Sequence, residues 1–213
     1  MARPGTPSRV RKRDTGVAAN TRQRLVDAAG EALREDGFGG ASARNIATRA
    51  DCNQGLVFYH FGSVANLLLA ALDEVSERRL SQYRAKVDGV QTPKQLVSVA
   101  TDIFGEDLDK GYVTVLAEMI AGASSTPGLG SEVAKRIRPW RKFASEALSG
   151  ALVGSGLDAL PTDTLAHGVV ALYLGLELLA HLDGDRRPAT ALFDQVASLT
   201  DVLGALFREP SAT

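Results

Sequence analysis

An all-α protein is predicted by three features of this sequence. Apolar residues recur at helical spacing in every segment from residue 21 to residue 207, Gly- or Pro-bearing breaks separate those segments, and no alternating strand pattern or internal repeat lies between them. With 213 residues, 45% of them hydrophobic, the chain has material for one large domain or two small ones with an ample core.

Residues 1–19 are rich in Arg, Pro, Gly, Ser and Thr and lack periodicity, which predicts a flexible basic arm. Arg9, Arg11, Lys12 and Arg13 would either enter a DNA minor groove or only raise the local positive potential of a solvated tail. A first helix is predicted over 21–36 from Leu25, Ala28, Ala29, Ala32 and Leu33, with Gly37 as its stop. The stretch 37–69 then holds two short helical patterns around a polar three-residue break. In the first, Ile46, Ala47 and Ala50 share a face and Ser42 caps the N-terminus by accepting a free backbone N–H. Asp51, Cys52 and Asn53 form the break; Asp51 tolerates the left-handed backbone such a turn needs, and Cys52 packs as a small hydrophobe. Asn53 caps a second helix that begins with Gln54 and Gly55 and ends on Phe58, Tyr59, His60 and Phe61. Two short helices so joined pack at an angle as a helix-turn-helix, whose second helix can dip its first turn into a DNA major groove.

A long helix follows over 63–87, through Leu67, Leu68, Ala71, Leu72, Val75, Leu80 and Tyr83, and is long enough to link head to body. Further helices are predicted at 93–106, 111–123, 130–152, 162–182 and 188–207. The units are therefore an arm at 1–19, a three-helix head at 20–62 and a helical body at 63–213.

Charge divides along the same line. Residues 1–62 carry ten Lys/Arg against six Asp/Glu, whereas the remainder carries fourteen against nineteen. A basic head on an acidic body is expected where only the head meets phosphate. One cysteine makes no internal disulfide, the N-terminal arginines lead into no apolar signal core, and no apolar run of about eighteen residues escapes interruption by charge or His. A cytoplasmic protein that does not engage the membrane is the expectation. No nucleophile with a base, no phosphate-cradling Gly loop and no metal cluster is present, which speaks against an enzyme and predicts no cofactor. Glu177 and His181 stand one helical turn apart, but His167 lies about 21 Å from His181 along the same helix, too far to share an ion.

Residues 21–69, with a helix, Gly-Phe, a small hydroxyl, Ile-Ala, a polar break, then aromatic-Tyr-His-Phe and a Leu-rich helix, resemble the tetracycline-repressor-like (TetR) transcriptional regulators. Beyond residue 69 the resemblance is architectural. It implies a homodimer that binds a pseudopalindromic DNA operator and releases it when a small molecule enters the body, with repression as the default output. It also implies base contacts for Arg44 and Gln54; Arg suits the O6 and N7 of guanine, and the Gln amide suits adenine. Gly55 brings the backbone to the groove, Asn53 joins the DNA-binding set from the cap position, Leu56 meets a thymine methyl or fills core, and Ser42, Tyr59 and His60 contact phosphates. Phe58 and Phe61 are expected in the core.

The sequence departs from that pattern at Phe58, where a second Tyr is frequent, and at Val64 and Ala65, where Lys and an acidic residue are usual. A phosphate anchor is thereby lost, and a smaller salt dependence is expected unless the arm compensates.

In the body, Phe104, Tyr112, Met119, Trp140, Phe143, Tyr173 and Glu177 fall in helices that in the family surround a ligand cavity, and some of these must simply fill core. Trp140 and Tyr112 suit a pocket best, each having one polar atom to orient a ligand. The helix at 162–182 is apolar on several faces and that at 188–207 carries a broad apolar stripe, which together would form a two-fold dimer interface. The competing class is a helical adaptor that binds only protein; it accounts for the body and leaves the basic head without purpose.

Overall fold

The computed structural model of the chain describes residues 9–207. Among the described residues there are nine helices and no strand: α1 (Arg9–Gly40), α2 (Ala43–Arg49), α3 (Gly55–Phe61), α4 (Val64–Val87), α5 (Pro93–Lys110), α6 (Tyr112–Ala123), α7 (Leu129–Leu152), α8 (Thr162–Asp183) and α9 (Arg187–Phe207).

Most boundaries follow from the local chemistry of the sequence. The Ser42 hydroxyl accepts the Asn45 N–H at 3.2 Å to open α2, Ser63 accepts from Asn66 at 3.1 Å to open α4, and Thr92 accepts from Gln95 at 3.2 Å ahead of Pro93 to open α5. Three boundaries differ from expectation, the first being that α1 resumes beyond a kink at Gly37 and runs to Gly40. Helical backbone begins at Arg9, within the stretch read as an arm, because no proline follows Pro7 before Pro93 and the Arg, Lys and Ala just beyond Pro7 are good helix formers. Residues 1–8 and the side chains of Arg9, Arg11, Lys12 and Arg13 lie outside the described residues. α5 runs four residues past its expected end at 106, since Gly105 stays helical and the chain turns only at the left-handed Gly111.

The head's core is built from Leu25, Ala29 and Leu33 of α1, Ile46 and Ala47 of α2, Val57 of α3 and Leu67, Leu68 and Leu72 of α4, each at most 4% exposed. This cluster does not stop at residue 62: Val115 and Met119 of α6 and Leu129 and Val133 of α7 belong to it. A second cluster gathers Phe104, Ala180 and Ala189 with Leu108, Tyr173, Leu176 and Phe193 around them, joining α5, α8 and α9.

Head and body also meet through one polar link. At Gly37 the backbone leaves the helix with φ 71° and ψ −179°, a conformation that glycine alone adopts easily. The next N–H, that of Phe38, donates to the Glu118 carboxylate of α6 at 2.7 Å. The Phe38 ring lies against Gly122, one turn along α6 from Glu118.

By length and composition α8 could cross a membrane, which corrects the expectation that no segment qualifies: its few charged and His residues are spread too thinly to disqualify it. Its central acid, Glu177, is 0% exposed inside the protein, and Ala166 and Ala180 are buried with it, so this helix is a wall of the body.

A Cβ added at Gly122 would stand 2.3–2.4 Å from the Phe38 ring. Gly122→Ala is therefore expected to destabilise the fold by about 1–3 kcal/mol, outweighing the better helix propensity of Ala. A urea midpoint equal to or above that of the unaltered protein would show that the ring is free to move aside.

Candidate nucleic-acid interface and interior cavity

The turn between α2 and α3 is built as its sequence dictates. Asp51 adopts φ 48°, the only non-glycine residue with positive φ among the described residues. The Asn53 side-chain oxygen accepts the Gly55 N–H at 2.7 Å, and Gln54 already has helical φ −53° and ψ −32°, so Asn53 caps the helix in the physical sense. Cys52 packs on the head core, and burial pushes its thiol up despite the nearby positive charge of Arg24.

Seven residues are too few for a helix to hold itself together in water, so α3 depends on its anchors. Val57, 0% exposed, plugs the core; Leu56 packs half-buried beside it; and the Arg22 guanidinium lies 5.0 Å from the Phe61 ring centroid. What remains outward is Gln54, Gly55, Phe58 and Tyr59, two i,i+4 pairs, with Tyr59 79% exposed. Phe58, expected in the core, is 49% exposed, because Val57 occupies the inward position and a residue one step along a helix turns about 100° away. Ser42, Arg44 and Asn53 are exposed and His60 is half-buried, its ring edge-on to Tyr59 at 5.0 Å.

Charged groups behind this face fix the angle of α2. Arg49 bridges Glu35 at 2.5 Å and Asp36 at 2.7 Å, while Asn45 donates to Asp36 at 2.6 Å and to the Gly40 carbonyl at 2.9 Å. The Asn45 amide and the Arg49 charge hold the Asp36 carboxyl below its usual range.

The body encloses a cavity of about 500 Å³ with almost wholly apolar walls. Tyr112, Trp140, Phe143 and Tyr173 of the expected pocket set line it. Three of that set do not. Phe104, 2% exposed, packs edge-on against Tyr173; Met119, 0% exposed, fills the core shared with the head; and Glu177 is sealed behind the wall. In each case the side chain lies on a helix that reaches the cavity but points toward another helix.

At one end of the cavity stands a charged cluster that the sequence reading missed. Arg79 of α4, 5% exposed, donates to Asp107 of α5 at 2.5 Å and to Glu177 of α8 at 3.1 Å. The hydroxyls of Tyr83 and Tyr173 both donate to Asp107, the latter at 2.8 Å. Rings of Trp140, Tyr112 and Tyr83 surround the guanidinium at 5.0, 5.1 and 5.6 Å. Burial raises Glu177 to about 7, the Arg79 charge opposing and the Asp107 charge reinforcing it; burial would lower Arg79, yet its two carboxylates hold it above its ordinary range. The readable signal was Arg79 itself, lying on the apolar stripe of Leu72, Val75 and Tyr83 where a solvated charge does not belong.

A three-helix head presents a short helix outward in helix-turn-helix geometry and is joined to a helical body around an apolar cavity. Residues 25–71 match the family described as bacterial regulatory proteins, tetR family. The chain is similar to the HTH-type transcriptional regulator UidR of Escherichia coli (strain K12), with 30% identity over 93 residues, 42% of this chain and 47% of that protein. The chain thus spans about half the length of the curated relatives it matches. Its fold is that of a TetR-family transcriptional regulator from Rhodococcus sp., with TM-score 0.69 at 20% identity over 87% of this chain and 98% of that one. It is likewise that of the regulator FadR from Bacillus subtilis in complex with stearoyl-CoA, with TM-score 0.68 at 15% identity over 84% and 96%.

Glu177 gives the fold a pH dependence. Its folded pKa, about 7, exceeds the ordinary 4.5, so the folded chain holds a proton that the unfolded chain releases. Stability is therefore expected to fall as pH rises from about 4.5 to about 7 and to level off above, by on the order of 3 kcal/mol in all. Urea midpoints measured across that window should decline for the unaltered protein and stay flat for Glu177→Gln; equal slopes would remove Glu177 as the source.

Proposed function

We propose that this regulator binds a pseudopalindromic operator as a homodimer and is released when a small molecule occupies its cavity, which makes it a repressor. The observation that supports this most is that α6 serves both ends of the molecule: Tyr112 and Leu116 line the cavity, while Glu118 and Gly122 engage Phe38 of the head. A ligand that prefers one setting of α6 thereby prefers one setting of the head. Stearoyl-CoA in the FadR structure supports a small-molecule occupant in this architecture, although that protein's ligand is its own.

In this reading Gln54 and Arg44 address base edges, Asn53 and Gly55 let the backbone approach, Leu56 stays in the core, and Ser42, Tyr59 and His60 fix the register on phosphates. Dimerisation follows from apolar surface that one chain leaves uncovered: Leu172, Leu179 and Leu182 of α8 are 51%, 57% and 70% exposed, and Leu199, Val202 and Leu206 of α9 are 55%, 55% and 72% exposed. A second copy covers both stripes about a two-fold axis and sets two heads about one helical turn of DNA apart. The cytoplasm, where the DNA is, is its place of work.

Electrophoretic mobility shift with the chain's own upstream DNA, across a salt series, tests the assignment. Sequence-selective retention at moderate salt is expected, and Gln54→Ala or Arg44→Ala should each cost about 1–3 kcal/mol of discrimination. A shift indifferent to sequence, or none at all, would favour an adaptor that binds only protein. Leu179→Glu should yield monomers by sedimentation and lose the shift; dimers that persist would place the interface elsewhere.

A further inference from the structure

The wall of the cavity decides the charge of what it takes, an inference that rests on the effector-controlled reading above and deepens it. Among the described residues that wall holds two charged side chains, Arg79 and Arg136, and no carboxylate. Each cation is already matched by two acids. Arg79 meets Asp107 at 2.5 Å and Glu177 at 3.1 Å, and Arg136 meets Asp73 at 2.7 Å and Glu132 at 3.2 Å. A carboxylate entering the cavity would be a third acid at either guanidinium, whereas an ammonium would face two like charges with no acid on the wall. Either ion would also leave water for a lining that is otherwise almost wholly apolar, with no free counter-charge to offset the loss.

What the wall offers instead is hydrogen-bond donors without acceptors. Arg79 donates through Nε to Tyr83 and through Nη2 to its two acids, which leaves Nη1 without an acceptor among the described residues. The hydroxyls of Ser76 and Tyr112 and the indole N–H of Trp140, all residues of the wall, make no hydrogen bond among the described residues either. These groups stand together: the Tyr112 and Trp140 rings lie 5.1 and 5.0 Å from the Arg79 guanidinium, and Ser76 is one turn before Arg79 on α4. The contacts of Arg136 with Asp73, Trp140 with Arg79 and Phe143 with Tyr83 show that α4 and α7 run side by side in the same direction. The cavity follows them from Leu72 to Val87 and from Arg136 to Leu152, roughly 20 Å of each helix. Beyond Phe143 the α7 side is formed by Ala144, Ala147, Leu148, Ala151 and Leu152 and carries no polar group. The space is therefore long, with donors toward one end and hydrocarbon along the rest.

We propose that the cavity binds elongated, uncharged molecules whose hydrocarbon body carries a carbonyl near one end. A neutral carbonyl oxygen accepts from Arg79 Nη1 and the neighbouring hydroxyl and indole donors without disturbing the charge balance of either arginine. The alanine-lined stretch of α7 takes the chain.

Isothermal titration of the full chain with decan-2-one, decanoate and decylammonium near neutral pH, all at micromolar concentration, tests this. Decan-2-one is expected to bind about tenfold or more tighter than either ion. A double variant, Ser76→Ala with Tyr112→Phe, removes two donors and no charge. It should weaken decan-2-one about fivefold and leave pentylbenzene, which has no acceptor oxygen, within about twofold; should that variant not fold, the three probes on the unaltered protein still decide. Either ion binding as tightly as decan-2-one, equal losses for decan-2-one and pentylbenzene, or no binding of any probe would overturn the proposal. Decanoate that binds tightest and frees the operator would sink the preference for neutral molecules alone, whereas a protein that selects decan-2-one but binds no DNA would sink only the operator function.

Discussion

Taking a guanidinium out of water costs several kcal/mol unless opposite charge meets it, so Arg79 commits α4, α5 and α8 to converge at one point. Much else in the body is arranged around that convergence. Tyr83 and Tyr173 close the polar side of the cluster, Trp140 and Tyr112 cover its apolar side, and the cavity is the space left between the helices held apart by this bulky centre. A hydrophobic substitute at Arg79 would leave two carboxylates facing each other without a cation. The cluster thus fixes which helices are neighbours as much as it stabilises them.

The head obeys a different constraint. α3 is too short to persist alone, so its outward face exists only because Val57, Leu56 and the Arg22–Phe61 stack hold the inward one. The ionic network of Arg49 with Glu35 and Asp36 then fixes how α2 leaves α1. Gln54 and Tyr59 owe their exposure to these anchors, and rigidity at the back is what allows a polar face at the front to be presented without its own support.

Between the two units the connection is partly dry and partly polar, through the hydrogen bond from Phe38 to Glu118. Val115, Met119, Leu129 and Val133 extend the head's core into the body, which resists separation but tolerates sliding. The Phe38 N–H to Glu118 bond and the close seat of Phe38 on Gly122 are directional, and so distinguish one setting of α6 from another. An element that walls the cavity and also grips the head can transmit a displacement without any long chain of intermediates.

Helix number, order and most boundaries were legible in the sequence because caps and breaks act locally: Ser42, Asn53 and Ser63 each accept a backbone N–H within three residues of themselves, and Gly37 breaks the helix through its own backbone. The helix-turn-helix was legible for the same reason, down to the left-handed Asp51. Local chemistry is silent on which face of a helix meets which neighbour. Phe58 turned outward once Val57 took the core, Met119 joined the head, and Phe104 and Glu177 turned away from the cavity that Tyr112 and Trp140 line. The Arg79, Asp107 and Glu177 cluster joins residues 28 and 98 positions apart along the chain, and only the packed arrangement of α4, α5 and α8 decides that they meet. Charge pairing at such separation is a property of three-dimensional proximity in a medium without water, and no spacing along the chain encodes it.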